Sequence, residues 1–331
     1  MEQALVERAG LTIELITATG LRGKDPVAAL RGVWTLGRGY KQSRQVIRRF
    51  QPDALFVTGG YVSVPVTLAA WQAGVPVIIY LPDIEPGLAI KFLARFAARV
   101  AVTTAETCNF FRPGLTVVTG YPVRAELAAG PVDEAARATA RQRLGLGTER
   151  PVILVFGGSR GARSINFAVG GQIKSYLEVG QVVHISGRLD ENWVRSRRTE
   201  LSPDLQARYH VWPYLHEEMS SALKAADMVI SRAGASVLGE YPAIGLPAIL
   251  VPYPYAGTHQ AANADYLVRH GAAMRIDDTV LERDLKDIAL SLIKDHERLR
   301  AMSNSSSRLA KRDAADRLAQ EIMGVRRRGG N

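Results

Sequence analysis

At 331 residues the chain is about two domains long at the usual rate of roughly 100–200 residues each, and its 47% apolar content is enough to bury large cores, which excludes disorder. No apolar run reaches the roughly 18 residues of a membrane span, so a soluble globular protein is expected. The 42 Lys and Arg against 32 Asp and Glu give +10, which asks for an anionic partner: nucleic acid, phospholipid or a phosphorylated metabolite. The lone cysteine, Cys108, leaves no intrachain disulfide or thiolate cluster, and Met1–Gly10 lacks the apolar core of a secretory signal, so a cytoplasmic location is expected. All six histidines, from His184 to His296, lie in the second half, so the first half has no imidazole for acid–base work.

In chain order, short β-branched runs alternate with amphipathic stretches. Strands are predicted over 54–58, 75–80, 100–103 and 116–119, then over 152–156, 182–186, 209–212, 228–231 and 248–252. Helices are predicted over 62–73, 88–98, from Ala162 towards Tyr176, over 236–244 and over 260–270. This alternation is that of an α/β protein with parallel sheets, whose ligands sit at the carboxyl ends of strands. Residues 1–125 read as a first domain. Residues 126–150, rich in Ala, Arg and Glu, read as a linker carrying one exposed helix. Residues 151–324, closing with two helices over 281–323, read as a second domain, and 325–331 as a frayed basic tail.

The strand Val152–Phe156 runs into Gly157-Gly158-Ser159-Arg160-Gly161-Ala162 and then a helix. Missing Cβ atoms let backbone N–H groups approach an anion, the helix start adds about half a positive charge, and Ser159 and Arg160 add donors. The spacing is neither a dinucleotide fingerprint nor a P-loop, and a tight turn that binds nothing is the alternative. A second glycine turn, Gly59-Gly60-Tyr61, follows the first strand, and close packing explains it equally well. After the strand 228–231, Ala233 to Ser236 let a ligand lie on a helix start, and Glu240 is placed to accept both hydroxyls of a ribose. Gln260 and Asn263, three apart on a later helix, suit recognition of neutral hydroxyls.

The segments Gly157–Ala162 with Asn166, Ser231–Glu240, and Gly245-Leu246-Pro247 through Gln260 and Asn263 resemble the family-28 glycosyltransferases, and among them the MurG family. The resemblance extends over nearly the whole chain. It implies a GT-B fold: two Rossmann-like, doubly wound parallel-sheet domains facing a cleft, with the acceptor in the first half and the donor in the second. It implies inverting transfer of N-acetylglucosamine from UDP-GlcNAc to undecaprenyl-pyrophosphoryl-MurNAc-pentapeptide, a step of peptidoglycan biosynthesis, at the cytoplasmic face of the cell membrane. Ser159 would bind the pyrophosphate with Arg124 beside it, and the stretch around His216 would meet uracil through main-chain atoms. Ala235, Ser236, Val237, Leu238, Gly239 and Glu240 would hold the nucleotide, with Glu240 on the ribose. Gln260, helped by Asn263, would read the sugar, and Gly59, Gly60 and Tyr61 would face the acceptor pyrophosphate. Two departures stand out. The family opens with a βα unit whose glycine-rich loop ends in a histidine, and this chain starts about 30 residues later. Asp83 replaces an asparagine that meets the donor sugar.

Transfer from a UDP donor needs a base for the attacking hydroxyl and neutralisation of the departing diphosphate. With no early histidine, Asp83 or Glu85 is the expected base and Tyr61 a weaker candidate; helix capping is the alternative role for both carboxylates. No Asp-x-Asp pair or His/carboxylate cluster is evident, so no metal and no cofactor is expected. Residues Arg31 to Phe50 carry six cations, no acid and interleaved aromatics, and Leu88–Val100 adds Lys91, Arg95 and Arg99 beside Phe92 and Phe96. Such faces suit shallow docking on anionic lipid. Nucleic acid is not expected, since no recognised binding motif accompanies the charge. Two rivals remain: transfer to another lipid such as diacylglycerol, and a catalytically silent nucleotide-sugar-binding protein.

Overall fold

The computed structural model describes residues 6–7, 10–18, 26–158, 161–255 and 259–325, with the backbone alone over 26–33. Two parallel sheets organise it. The first holds β1 (Leu55–Val57), β2 (Val77–Leu81), β3 (Arg99–Val102) and β4 (Thr116–Val118), side by side in chain order. The second holds β5 (Val152–Phe156), β6 (Gln181–Ile185), β7 (Tyr209–Trp212), β8 (Met228–Ser231), β9 (Ala248–Leu250) and β10 (Ala273–Arg275), in the order 10-9-8-5-6-7. The order reverses beside β5, so the second sheet is doubly wound. Among the described residues the first sheet shows no such reversal.

The inner strands β5, β8 and β9 are buried on both faces, which is why they read as almost wholly apolar runs. Along β5, Val152 and Leu154 enter one core and Ile153 and Val155 the other. Ala273–Arg275 escapes prediction because three residues ending in arginine carry no such run. The 25-residue helix Pro26–Phe50 buries Gly39, Ser43 and Ile47, one residue per turn, against the helix Ser63–Gln72 and leaves Arg38, Lys41, Arg48 and Arg49 outside.

Several boundaries differ from the sequence reading. The 126–150 stretch, expected as one exposed connecting helix, forms two, Ala125–Ala128 and Glu134–Arg143, and Leu127, Ala140, Leu144 and Leu146 enter the second sheet's core. Arg137 and Arg141 reach Asp227 at 3.0 and 2.7 Å, an acid 86 residues beyond Arg141 that local composition does not reveal. The helix expected from Ala162 to Tyr176 breaks into Arg163–Gly170 and Ile173–Val179 at two glycines. Residues 281–323 give three helices rather than two: Leu281–Lys294, His296–Arg308 and Ala314–Val325. The last of these, expected with the second domain, packs on the first sheet, where Leu318 and Ile322 meet Tyr80, Ala101 and Val117. The helix Leu88–Leu93 stops short of 98, so Arg99 lies on β3 and the expected helical row of Lys91, Arg95 and Arg99 is not continuous.

Candidate active site

At the carboxyl ends of β5 and β8, where the strand order reverses, lies a cavity of about 640 Å³. That is the place and the size expected for a nucleotide in an open parallel sheet. Its walls include Gly157, Gly158, Gly161, Ser164, Ser236 and Gln260. The glycines are required. A Cβ on Gly157 would lie 2.1 Å from the Ala162 nitrogen, and one on Gly161 2.6 Å from the Ser186 carbonyl oxygen. Gly158 and Gly161 also take positive φ angles of 91° and 77°. The loop brings backbone to the mouth of the helix Arg163–Gly170, as an anion cradle demands. Ser159 and Arg160, both expected at the pyrophosphate, lie outside the described residues.

A buried relay supports this loop from beneath. Asn166, one turn into the helix, donates from Nδ2 to the Ser186 carbonyl and to the Asp190 carboxylate, each at 2.8 Å. Its Oδ1 is therefore the acceptor facing His184 Nε2 at 3.0 Å, so Nε2 carries the imidazole proton and Nδ1 accepts from the Tyr209 hydroxyl at 2.8 Å. Full burial lowers the His184 pKa to about 3, so the ring is neutral.

The opposite wall is set by Arg232. Its guanidinium, almost wholly buried, donates to Ser164 Oγ at 2.8 Å, to the Val251 carbonyl at 3.2 Å and to the Asp278 carboxylate, and lies over the Tyr253 ring. Ser164 completes the triangle at 2.7 Å from Asp278. Sequence reasoning missed Arg232, Asp278 and Tyr253. Arg232 sits beside the small residues Ala233 to Ser236, but its carboxylate partner is 46 residues away. Gln260 accepts the Tyr253 amide through Oε1 at 2.9 Å, which ties the head of the helix His259–Arg269 to this wall.

The segment expected to hold the nucleotide is a short 3₁₀ turn, Ala235–Leu238, followed by the helix Glu240–Ile244. Val237 and Leu238 are packed in the core, whereas Ala235, Ser236 and Glu240 are only part-buried. Burial raises the Glu240 pKa, against the opposing pull of the Arg124 guanidinium and a hydrogen bond from Ser236. Arg124 also donates to the His216 carbonyl at 3.2 Å, so these two expected donor residues meet each other. Gly239 lets the Tyr121 ring approach: a Cβ there would lie 2.6 Å from the Tyr121 Cβ. Burial, then the charges of Glu240 and Asp83, push the Tyr121 phenol up, which places all three groups in one neighbourhood at the lobe junction.

From the first lobe, the loop after β2 carries Asp83 and Glu85. Asp83 accepts a hydrogen bond from Asn263 at 2.8 Å, and the Glu85 carbonyl meets His259 Nδ1 at 3.1 Å. Asn263, expected to help read sugar hydroxyls, is instead fully buried with both N–H groups directed at protein acceptors, Asp83 and Ala233. The turn at Gly59 and Gly60 has φ angles of 100° and 79°, and a Cβ on Gly59 would lie 2.9 Å from the Ile90 side chain, which leaves Tyr61 exposed beside the helix Leu88–Leu93. Among the described residues no group of three or more His, Cys, Asp or Glu is arranged to hold a metal ion.

Two lobes of parallel sheet, joined over a cleft and bearing a nucleotide-sized cavity at the switch point of the second, define the GT-B architecture of sugar-nucleotide proteins. The profile of the glycosyltransferase family 28 C-terminal domain matches residues 152–318, and that of the family's N-terminal domain matches residues 1–102. The UDP-N-acetylglucosamine--N-acetylmuramyl-(pentapeptide) pyrophosphoryl-undecaprenol N-acetylglucosamine transferase of Roseiflexus sp. (strain RS-1) is 41% identical, over 96% of this chain and 80% of that protein. Its namesake from Moorella thermoacetica is 39% identical, over 98% of this chain and 87% of that protein. Among solved structures, MurG of Acinetobacter baumannii superposes with a TM-score of 0.75 at 23% identity, covering 98% of this chain and 88% of that one. The chain belongs to glycosyltransferase family 28.

Proposed function

We propose that this protein transfers N-acetylglucosamine from UDP-GlcNAc to undecaprenyl-pyrophosphoryl-MurNAc-pentapeptide with inversion at the anomeric carbon. The observation that carries the reading is the cavity at the reversal beside β5, walled by the glycine loop, Ser236 and Gln260, with Glu240 hydrogen-bonded to Ser236 and in the field of Arg124. The diphosphate lies against the start of the helix Arg163–Gly170, the ribose diol against Glu240, and the sugar towards Gln260. Asp83, held at the cleft, takes the proton from the acceptor hydroxyl. The hydroxyl oxygen bonds to the anomeric carbon, the bond to the UDP oxygen breaks, and its electron pair leaves on the diphosphate. Arg124 and the amide-rich helix start receive that charge, so this reading routes no step through a metal. The names of the relatives above and the membership of family 28 support the choice of donor and acceptor.

A lipid-linked acceptor requires the protein to work at a membrane face. Around the Gly59–Tyr61 turn the first lobe exposes Tyr61, Val62, Trp71, Leu88, Phe92 and Phe110, with Lys91 over the Phe110 ring. No helix among the described residues is long and apolar enough to cross a membrane. We read this patch, with the outer cations of the helix Pro26–Phe50, as a surface that rests on the anionic cytoplasmic leaflet. The test is radiolabelled UDP-GlcNAc supplied with either the purified lipid-linked MurNAc-pentapeptide or diacylglycerol. Product with the first supports the reading. Product with the second alone, or binding without product with either, rejects it.

A further inference from the structure

Asn263 joins the two lobes through one side-chain amide. Its Nδ2 donates to Asp83 Oδ1 at 2.8 Å and to the Ala233 carbonyl at 3.1 Å, and its Oδ1 accepts the Ile84 amide at 3.0 Å. The amide has one possible orientation, because the Ile84 N–H can only donate and the Ala233 carbonyl can only accept. Asn263 is 0% exposed, and the Ile84 side chain, from the first lobe, is buried in the second lobe's core cluster. The residue carrying the carboxylate is thus flanked by an apolar side chain of its own lobe that plugs into the core of the other. One turn before Asn263, on the same face of its helix, His259 meets the Glu85 carbonyl, and farther along Arg269 pairs with Glu106 of the first lobe at 2.6 Å. The pairing at 83 and 263 is chemically matched: an ionised carboxylate only accepts, and Nδ2 only donates.

We propose that Asn263 is a positioning residue, which with the Ile84 plug forms a clasp holding the Asp83 carboxylate on the donor lobe, so that the base stands over the bound sugar only while the lobes are drawn together. This rests on the proposed role of Asp83 as base. A buried amide aligned by three partners fixes the carboxylate far better than a solvated loop does, and misplacement of a reacting group by about 1 Å lowers rate by on the order of 100-fold.

The test compares wild type with Asn263→Ala and Asn263→Asp in the full chain. Both variants are expected to bind UDP within about twofold of wild type, since the cradle and Glu240 are untouched, while turnover falls by on the order of 10- to 100-fold, mostly in kcat rather than in KM for UDP-GlcNAc. Dyes on Arg112→Cys and Thr199→Cys, both exposed and on different lobes, report lobe separation by energy transfer in a Cys108→Ser background. The separation is expected to widen or broaden in both variants. Asn263→Asp keeps the side-chain volume and sets a second carboxylate against Asp83, so it opens the clasp without leaving a void and serves if the alanine variant does not fold. Wild-type separation in the folded variants, or equal losses of UDP affinity and turnover, overturns the clasp. Asp83→Asn separates the two readings: wild-type turnover there removes the base, and lobe separation still judges the clasp by itself.

Discussion

Acidification should destabilise this protein through His184. The ring is wholly buried between Tyr209 and Asn166, and its proton-binding strength drops from an ordinary 6.5 to about 3. In the unfolded chain the imidazole binds a proton below its ordinary pKa, whereas in the native chain it stays neutral until about 3. Stability is therefore fully present above the unfolded value and is lost as pH falls through the window between them. At about pH 5 the loss relative to neutral pH is about 2 kcal/mol from this one group, since each unit of pH below the unfolded pKa costs about 1.4 kcal/mol. Urea unfolding followed by far-ultraviolet circular dichroism, at neutral pH and near pH 5, measures it in wild type and in His184→Gln. The variant starts lower, because Tyr209 and Asn166 lose a shaped partner, so the readout is the change with pH. Wild type should lose about 2 kcal/mol more than the variant on acidification. Equal losses would refute the buried neutral ring and, with it, the assigned tautomer.

Further outcomes follow from the lobe junction. On the proposed contact of Glu240 with the ribose diol, Glu240→Gln should weaken UDP binding by about 2–3 kcal/mol, roughly 30- to 160-fold, by calorimetry. Because burial raises the native Glu240 pKa above its unfolded value, its contribution to stability is present at acid pH and is lost as pH rises through the native value, so Glu240→Gln should melt higher than wild type at neutral pH. Wild-type UDP affinity fails to weaken on acidification if Glu240 has no contact with the ribose. Gly239→Ala puts a methyl group 2.6 Å from the Tyr121 Cβ and should destabilise by about 1–3 kcal/mol. Adding Tyr121→Ala should recover much of that loss in a thermal melt, and strict additivity of the two changes would exclude the collision.

Features determined by neighbouring residues were the ones legible in the sequence. β5 was bounded residue for residue because burial on both faces leaves only an apolar run, and the Gly157–Gly161 loop was recognisable because no other residue fits those positions. Partners distant in the chain were not legible. Arg232 and Asp278 are separated by 46 residues and Asn263 and Asp83 by 180, so spacing alone presents Asn263 as an amide suited to neutral hydroxyls. Amphipathic spacing in 314–325 announces a buried face without saying that it lies on the first sheet. Phe92 and Phe96 keep helical spacing, which extends the expected helix from Leu88 past its end, whereas the chain turns after Leu93 and Phe96 packs edge-on against Trp71 and Phe92.

The polypeptide passes between the lobes twice, once after β4 and once between the helices His296–Arg308 and Ala314–Val325. These passages touch: a Cβ on Gly120 would lie 2.6 Å from that of Lys311 and 3.1 Å from that of Ala314. Two tethers lying side by side act as a pivot. Rotation about the line through them strains neither, whereas sliding or twisting one lobe over the other stretches at least one. The freedom left to the cleft is thus a single opening angle, with the lips that carry Asp83 and Asn263 at its moving edge.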